Sequence, residues 1–413
     1  MKPMPGVLKD PVFRLLWFGR FASLFGTRFS DLALPWVLLQ STASPWQVAL
    51  VVACEQAATF LLSLPAGAWV ERQRKRDVAL AAETLRFAVM LLLAVLVFFD
   101  ELSSWTAGLA LFVMGAAGLF FSTAYRPLLV FAVGRNRLPA AYNLNEGADA
   151  VSTLLGPVAA GALMTAFGPT WALAVDALSY LISLATLMAI RVREPASGAD
   201  DERPAGTVRE RFRASLAGFR YILGHPVPGT LVGIGSLLGF SAVASSLLVT
   251  VLVQQDLRWS AAQAGWIYSA MGAGNVTGVV VLGWMQRAVP WAMLLAAALL
   301  AAAGGAAVLA FSTTFPAALL GAFLLDGALS VAFVVQASHV PVFTPDRLLA
   351  RVHAAASLAD DTARLLARLF AGGLAETLGV RAAFLACALL LGGGAVLAHR
   401  TRIKEEPVAE VRP

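Results

Sequence analysis

Charged residues are scarce in this sequence. Asp, Glu, Lys and Arg make up 14% of the 413 residues, whereas soluble domains contain about 25%. Hydrophobic residues make up 59%, and the mean hydropathy is +0.74. A soluble fold of this length would leave too much apolar surface in water. The composition therefore predicts an all-α membrane protein with many spans.

Cysteine and histidine are also rare, with two and four residues respectively. Cys54 and Cys387 each lie inside an apolar run, so we expect no disulfide framework. No spacing typical of metal or haem ligands occurs, and no nucleophile–base pattern or phosphate-binding loop is found. We therefore expect no enzyme activity, no cofactor and no resident metal.

The balance of charge is basic, with a formal net charge of +6 and a pI of 9.7. Nucleic acid is one possible partner of such a chain. Here, however, the cations gather in short loops beside apolar runs, which indicates anchoring at the cytoplasmic side of a membrane. We therefore expect a lipid bilayer as a partner and no nucleic acid.

Twelve apolar segments are long enough to cross a bilayer. They cover approximately 13–39, 46–70, 77–99, 104–125, 140–167, 169–190, 230–253, 262–283, 291–311, 315–339, 352–376 and 381–399. The loops expected to face outward hold Arg258, with Arg381 at a span edge, and most other cations fall in the inward loops and ends. This asymmetry predicts that both termini face the cytoplasm.

Residues 191–229 separate a predicted bundle at 1–190 from a second at 230–413. Charge, Pro, Gly and Ser are concentrated at 194–204, which predicts a flexible linker. Four apolar residues after it share one helix face: Phe212, Leu216, Phe219 and Leu223. This amphipathic helix could lie on the inner membrane surface or pack beneath the bundle, and both alternatives stay open.

The two halves show signs of an internal repeat. A shift of 211 residues superposes Asp149 on Asp360, Gly161 on Gly372 and Gly168 on Gly379. All three pairs fall in the fifth span of their half. This register predicts a parallel repeat, an arrangement in which substrates bind near the bilayer midplane.

A basic loop follows the second span. Four of the five residues from 72 to 76 are cations, and each Arg or Lys costs about 2.5–3.5 kcal/mol at the centre of a membrane helix. The loop should therefore stay in the cytoplasm. Gly67 could allow close helix packing, and Glu71 could face a helix N-terminus. The residues with a predicted gating role here are Gly67, Glu71, Arg72, Lys75 and Arg76. The alternative is an ordinary solvated loop.

The fifth span contains Gly156-Pro157-x-x-Ala160-Gly161. Pro157 should bend the helix, while the small residues allow close packing. We predict that Gly156, Pro157 and Gly161 control closure of the transporter. The alternative is a packed, kinked helix without a gating role.

Three spans concentrate polar residues on one helix face, which should contact protein or water and not lipid. The candidate cavity residues on these faces are Arg28, Asn145, Glu146, His353, Asp360, Asp361, Arg364 and Arg368. Spacings of three and four residues let Asp31 neutralise Arg28, and let Asp360 or Asp361 neutralise Arg364. Each face is either a self-neutralised structural network or a wall that meets substrate.

Four acids are candidates for proton coupling: Asp31, Glu55, Asp149 and Asp326. The last three have no cation close to them in the sequence. A carboxyl group in low-dielectric surroundings can load and release a proton near neutral pH. Acids without a cation would favour a cationic or neutral substrate, whereas Arg28, Arg364 and Arg368 would favour an anion.

The loop at 67–76 resembles the loop between helices 2 and 3 of the major facilitator superfamily, with Glu71 for the usual Asp and Arg74 for the second Gly. The Gly156–Gly161 segment resembles that superfamily's antiporter motif, with Ala160 for one Gly. Shorter stretches, among them 44–48 and 260–263, resemble a branch containing the enterobactin exporter and macrolide-efflux proteins.

This resemblance implies twelve transmembrane helices in two six-helix bundles, alternating access and proton-driven export across the cytoplasmic membrane. With the acids above, it favours a monomeric antiporter for small amphipathic compounds of the multidrug-resistance type. A siderophore exporter is the alternative. An importer, or a membrane scaffold or enzyme, is a less favoured possibility, because fold alone does not determine function.

Overall fold

The computed structural model describes residues 6–190 and 218–401. Within these two ranges the chain forms twelve helices of 21 or more residues and no strand. The helices are α1 (Pro11–Thr42), α2 (Pro45–Glu71), α3 (Lys75–Phe98), α4 (Ser104–Val133), α5 (Leu138–Phe167), α6 (Pro169–Ala189), α7 (Pro226–Val251), α8 (Ala261–Met285), α9 (Trp291–Phe311), α10 (Phe315–His339), α11 (Asp346–Leu378) and α12 (Val380–Thr401). Short 3₁₀ turns cover Val7–Lys9 and Arg135–Arg137, and a π-helical turn covers Leu252–Asp256.

Local sequence signals set several helix ends. Asp10 caps α1, since its Oδ1 accepts hydrogen bonds from the backbone N–H groups of Val12 and Phe13 at 2.9 and 3.4 Å. Ser103 and Thr106 form a reciprocal capping box at the start of α4. These caps satisfy N–H groups that have no partner inside the helix.

The ends of α5 and α11 agree with the predicted repeat. Gly168 follows α5 with φ 92° and ψ 165°, and Gly379 follows α11 with φ 88° and ψ 157°. A positive φ favours glycine because other residues meet a steric penalty there. Both glycines therefore end the fifth helix of their half with the same backbone geometry.

The described residues form two compact units. The N-terminal unit comprises 6–43, 51–190 and 260–265, and the C-terminal unit comprises 44–50, 218–259 and 266–401. In the first, α1 packs against α5 and α6, and α3 packs against α4 and α6. In the second, α7 packs against α11 and α12, and α9 packs against α10 and α12.

Small residues bring helices close together inside each unit. A Cβ added at Gly115 on α4 would lie 2.3 Å from the backbone oxygen of Glu55 on α2. On α8, a Cβ at Gly274 would lie 2.1 Å from the backbone oxygen of Phe323 on α10. Such backbone approach is typical of helices packed in a membrane, where small residues substitute for a hydrophobic driving force.

Ten of the twelve described helices are long and apolar enough to cross a membrane. The other two, α1 and α11, are 32 and 33 residues long but carry ionisable side chains in their middle turns. Both exceptions are among the three helices with a predicted polar face. The chain is a multi-pass membrane protein, as its composition predicted.

The predicted linker at 194–204, with Phe212 and Leu216, lies outside the described residues. The described helical stretch 218–224 packs against the C-terminal unit. Phe219 contacts the buried cluster of Ile222, Val232, Val352 and Ala355, and Tyr221 Oη donates to the Phe343 backbone oxygen at 3.1 Å. Leu223, on the predicted apolar face, is exposed. For this stretch the structure favours packing beneath the bundle.

Candidate functional site

Helices α1 and α5 hold a charged triad in the N-terminal unit. The Arg28 guanidinium contacts Asp149 Oδ1 at 2.9 Å and Asp31 Oδ2 at 3.5 Å. The side chains are 27%, 46% and 56% exposed for Arg28, Asp149 and Asp31 respectively. Water or a ligand can therefore reach both carboxylates. The predicted Arg28–Asp31 pair is confirmed, whereas the prediction that Asp149 lacks a cation is wrong. Its partner lies 121 positions away in the sequence, where helical spacing gives no signal.

Gly156 provides the space for this triad. A Cβ at Gly156 would lie 2.6 Å from Arg28 Cβ and 2.8 Å from Cγ. The stem of the arginine therefore packs directly on the backbone of α5. Gly161, one turn beyond Pro157, makes a different close contact. A Cβ added at Gly161 would lie 2.3 Å from the backbone oxygen of Ala261, which belongs to the same unit.

The polar side chains near the start of α5 lie in different environments. Tyr125 Oη donates to Asn145 Oδ1 at 3.5 Å, and the Arg20 guanidinium lies 5.6 Å from the Tyr125 ring centroid. Glu146 is exposed. Asn145 therefore joins a buried aromatic and cationic layer, while Glu146 stands apart from it.

A second network joins α1, α3 and α6, and sequence reasoning missed most of it. Arg86 contacts Glu83 Oε1 at 3.3 Å and donates to Tyr180 Oη at 2.9 Å. Tyr180 Oη also bonds to Thr27 Oγ1 at 3.1 Å. Glu83 and Tyr180 are almost completely buried. The available signal was an acid and a base three residues apart inside an apolar span.

Asp176 lies at the edge of this network and is fully buried. Its Oδ2 accepts a hydrogen bond from Ser30 Oγ at 2.5 Å, and its Oδ1 accepts one from Ser179 Oγ at 3.2 Å. A Cβ at Gly26 would lie 2.9 Å from Asp176 Oδ1. One hydroxyl group from α1, one from α6 and a glycine on α1 thus accommodate the Asp176 carboxyl group within the sixth span.

The polar face of α11 forms the corresponding site in the C-terminal unit. Asp360 Oδ2 accepts a hydrogen bond from Arg364 Nε at 2.8 Å, so this predicted pair is confirmed. Asp360 Oδ1 is buried against Gly239 on α7, with no hydrogen-bond partner among the described residues. Asp361 and Arg368 lie on the same helix and are partly buried.

A cavity of about 270 Å³ opens beside Asp360, between α7, α10, α11 and the loop after α10. Most of its wall is apolar. Its polar lining residues are Ser236, Gln336, Thr344, His353, Ser357 and Asp360. Gln336 Nε2 donates to the Leu231 backbone oxygen at 3.0 Å, which fixes the amide. The cavity thus combines an apolar wall with a few convergent polar groups, as small-molecule sites do.

The remaining predicted residues do not join these sites. Asp326 on α10 accepts a side-chain hydrogen bond from Asn275 on α8. In the basic loop, Lys75 Nζ donates to the backbone oxygens of Glu71 and Gln73 at 2.9 and 2.7 Å. Glu55 lies on α2, which packs on α4. The gating roles of Gly67, Glu71 and Arg72 stay predictions.

Arg76 has a contact that the sequence did not reveal. Its guanidinium donates to the backbone oxygens of Leu187 and Met188 at 3.1 and 2.9 Å. These carbonyls belong to the last turn of α6, where the helix dipole favours a cation. Across residues 6–190 and 218–401, no cluster of His, Cys, Asp and Glu could hold a metal ion.

Twelve long helices, a parallel repeat and ionisable groups placed inside the helix packing define a transporter of the major facilitator superfamily. Residues 5–413 match the family described as transmembrane secretion effector. The chain therefore belongs to this family, and its relatives and fold are those of transporters and not of enzymes.

Curated relatives agree with this assignment. The chain is 24% identical over 369 residues to the enterobactin exporter EntS of Salmonella choleraesuis strain SC-B67, a match that covers 88% of this chain and 86% of the relative. It is 26% identical over 369 residues to EntS of Escherichia coli O1:K1 / APEC, covering 88% and 85%.

Solved structures share the fold. A bacterial homologue of the human lysosomal transporter Spinster, in an inward-facing and unoccupied conformation, has a TM-score of 0.74 at 14% identity and covers 97% of this chain and 98% of its own. An inward-facing bacterial homologue of the iron transporter ferroportin has a TM-score of 0.72 at 18% identity, covering 95% and 99%. At these identities the likeness concerns the fold alone.

Proposed function

We propose that this protein exports a small amphipathic molecule of the catechol siderophore type by alternating access. The observation that carries the proposal is the similarity to enterobactin exporters, which extends over 88% of this chain and about 85% of theirs. This ranking places the siderophore alternative above the drug efflux that charge counting favoured.

The geometry weakens the argument for a cationic substrate. That argument depended on three acids without a cation, and one of them, Asp149, contacts Arg28 at 2.9 Å. Arg28 and Arg364 are 27% and 33% exposed, so both halves offer cations to a polar ligand. The charges of these two sites are therefore compatible with a substrate that carries hydroxyl and carbonyl oxygens.

Proton coupling is the second part of the proposal, and Asp149 is the acid best placed to provide it. Protonation of Asp149 would remove the charge that holds Arg28, since this pair is the shortest contact of the triad. A proton could thus change the state of α1 relative to α5. Asp31, Glu55 and Asp326 are the other candidates.

A gene deletion tests the substrate class. We expect the deletion strain to retain its siderophore inside the cell and to secrete less of it, with unchanged susceptibility to lipophilic drugs. Complementation with wild-type protein should restore secretion. Normal secretion together with increased drug susceptibility would instead support drug efflux.

Purified protein in liposomes tests the coupling. An acidic exterior should drive uptake of protons and release of a trapped catechol compound. We expect the Asp149→Asn variant to lose the dependence on the proton gradient while it still exchanges substrate. A gradient response equal to that of the wild type would assign coupling to another acid.

A further inference from the structure

The repeat reveals a difference between the two halves at one pair of positions. The shift of 211 residues that relates Asp149 to Asp360 also relates Arg28 to Gly239, because 239 − 28 = 211 and 360 − 149 = 211. In the N-terminal unit, the arginine on α1 binds the carboxylate on α5. In the C-terminal unit, the same position on α7 is a glycine that touches Asp360 Oδ1.

This replacement leaves Asp360 with spare capacity to accept hydrogen bonds. The only hydrogen bond that its carboxylate makes among the described residues comes from Arg364 Nε, whereas a carboxylate offers about four acceptor sites. Its side chain is 28% exposed and lines the 270 Å³ cavity. Because Oδ1 is buried against Gly239, the acceptor left for a ligand in the cavity is Oδ2, which takes one hydrogen bond from Arg364 Nε and, as a carboxylate oxygen, can accept a second.

Two glycines one turn apart on α7 shape the polar side of this cavity. A Cβ at Gly235 would lie 2.8 Å from Gln336 Nε2, and a Cβ at Gly239 would lie 2.0 Å from Asp360 Oδ1. Each glycine thus admits one polar side chain, from α10 and α11 respectively. Gln336 and Asp360 lie beside a mostly apolar wall that includes Phe333.

We infer that this cavity binds one protonated catechol ring of the exported molecule, with the Asp360 carboxylate accepting a hydrogen bond from a ring hydroxyl. The inference depends on the proposed function and names the part of the substrate that this site recognises. Phe333 and its apolar neighbours contact the ring face, and Gln336 offers its amide oxygen as a second acceptor.

The size of the cavity determines how much of the molecule enters. Pockets for drug-sized ligands measure about 300–1,000 Å³, and this cavity measures 270 Å³. It therefore accepts one aromatic ring with its substituents, not a complete molecule that carries several such rings.

The chemistry of the lining determines whether the cavity binds the protonated ring or the deprotonated, iron-bound ring. A phenol resembles the tyrosine side chain, with a pKa of about 10, so a free catechol keeps its hydroxyl protons near neutral pH. A catechol bound to iron has lost these protons and carries negative charge. Arg364 already neutralises Asp360, and no Lys or Arg occurs among the residues that line the cavity, so the lining offers no free cation to such an anion. The site thus selects the metal-free form.

Binding of small probes to the purified full-length protein tests the inference. The probes are 2,3-dihydroxybenzamide, its 2,3-dimethoxy analogue and the ferric complex of the dihydroxy compound, measured by calorimetry at neutral pH. We expect the dimethoxy analogue and the ferric complex to bind at least about tenfold more weakly, since each lacks the donor to a charged acceptor. Equal affinity for the dihydroxy and dimethoxy compounds would overturn the inference.

A pair of matched variants locates the binding. Ala337→Phe fills the cavity from α10, whereas Val334→Phe adds the same bulk to an exposed site on α10 outside the lining. We expect Ala337→Phe to abolish binding of the dihydroxy probe and Val334→Phe to preserve it. Unchanged binding to Ala337→Phe would place the ring elsewhere.

These measurements can reject the cavity assignment and the proposed function independently of each other. If deletion of the gene blocks siderophore secretion but Ala337→Phe leaves probe binding unchanged, the export proposal is supported and the assignment of the cavity is wrong. If the probes bind as expected but secretion is normal, the cavity still recognises hydroxylated rings and the proposed physiological substrate is wrong.

Discussion

The contact between Gly156 and Arg28 allows a prediction with an internal control. In the sequence Gly156 belongs to a motif, and in the structure a Cβ added there would lie 2.6 Å from Arg28 Cβ. Ordinary van der Waals contact begins near 3.4 Å, so the added atom is almost 1 Å too close. Gly147 lies on the same helix and has no atom within 4 Å of an added Cβ.

The expected changes in stability follow from two opposing effects, helix propensity and overpacking. Alanine favours a helix over glycine by about 1 kcal/mol, and overpacking a tight contact costs about 1–3 kcal/mol. Gly147→Ala should therefore stabilise the protein slightly, by up to about 1 kcal/mol. Gly156→Ala should leave the protein about 1–3 kcal/mol less stable than Gly147→Ala, because only it carries the packing cost.

Leucine at the same positions extends the test to function. Gly156→Leu must displace the Arg28 side chain, which should break its 2.9 Å contact with Asp149 and abolish transport. Gly147→Leu adds the same bulk in open space and should transport normally. Thermal unfolding of purified protein and substrate flux in liposomes measure the two effects. Equal stability and equal transport for the two positions would refute the view that α5 packs tightly on Arg28.

Three further predictions concern other parts of the chain. Glu71→Gln should reduce transport without affecting membrane insertion, and normal transport by a well-expressed variant would leave the basic loop with a topological role only. A reporter that is active only in the periplasm should stay silent when it is fused after Pro413, and a strong signal would contradict the predicted orientation. Arg86→Met should lower the free energy of unfolding by about 3–5 kcal/mol, since it leaves the buried Glu83 without its cation, whereas the exposed Arg14→Met should change it little. Adding Glu83→Gln to Arg86→Met should restore part of the loss, and a loss of only about 1 kcal/mol in the single variant would indicate hydrogen bonds of the strength usual between membrane helices.

The extent of the helices could be predicted because it depends on properties that are local in the sequence. A span requires about 20 apolar residues, and its ends are marked by prolines, glycines and charges. The repeat was visible for the same reason, since a shift of 211 residues superposes Gly168 on Gly379, two glycines that mark helix ends. The pair of Asp360 and Arg364 was also predictable, because the two residues lie one turn apart on one helix.

Partners from different helices could not be predicted in this way. Asp149 was expected to lack a cation, and its partner Arg28 comes from α1. The contact between Arg86 and Tyr180 joins residues 94 positions apart, for which helical periodicity carries no information. The amphipathic stretch near Phe219 was likewise ambiguous until its packing against the C-terminal unit was known.

The amino-acid sequence by itself determined that this chain is a helical membrane protein, because its hydropathy and length require it, and matching residues at a shift of 211 indicated the repeated architecture. Only the tertiary structure decided which charges on different helices neutralise one another and which carboxylate lies beside a cavity. The physical reason is that helix packing places Arg28 against Asp149 in one half and Gly239 against Asp360 in the other. Two carboxylates at equivalent positions thereby acquire different environments, one paired with a cation from a neighbouring helix and one beside an accessible cavity.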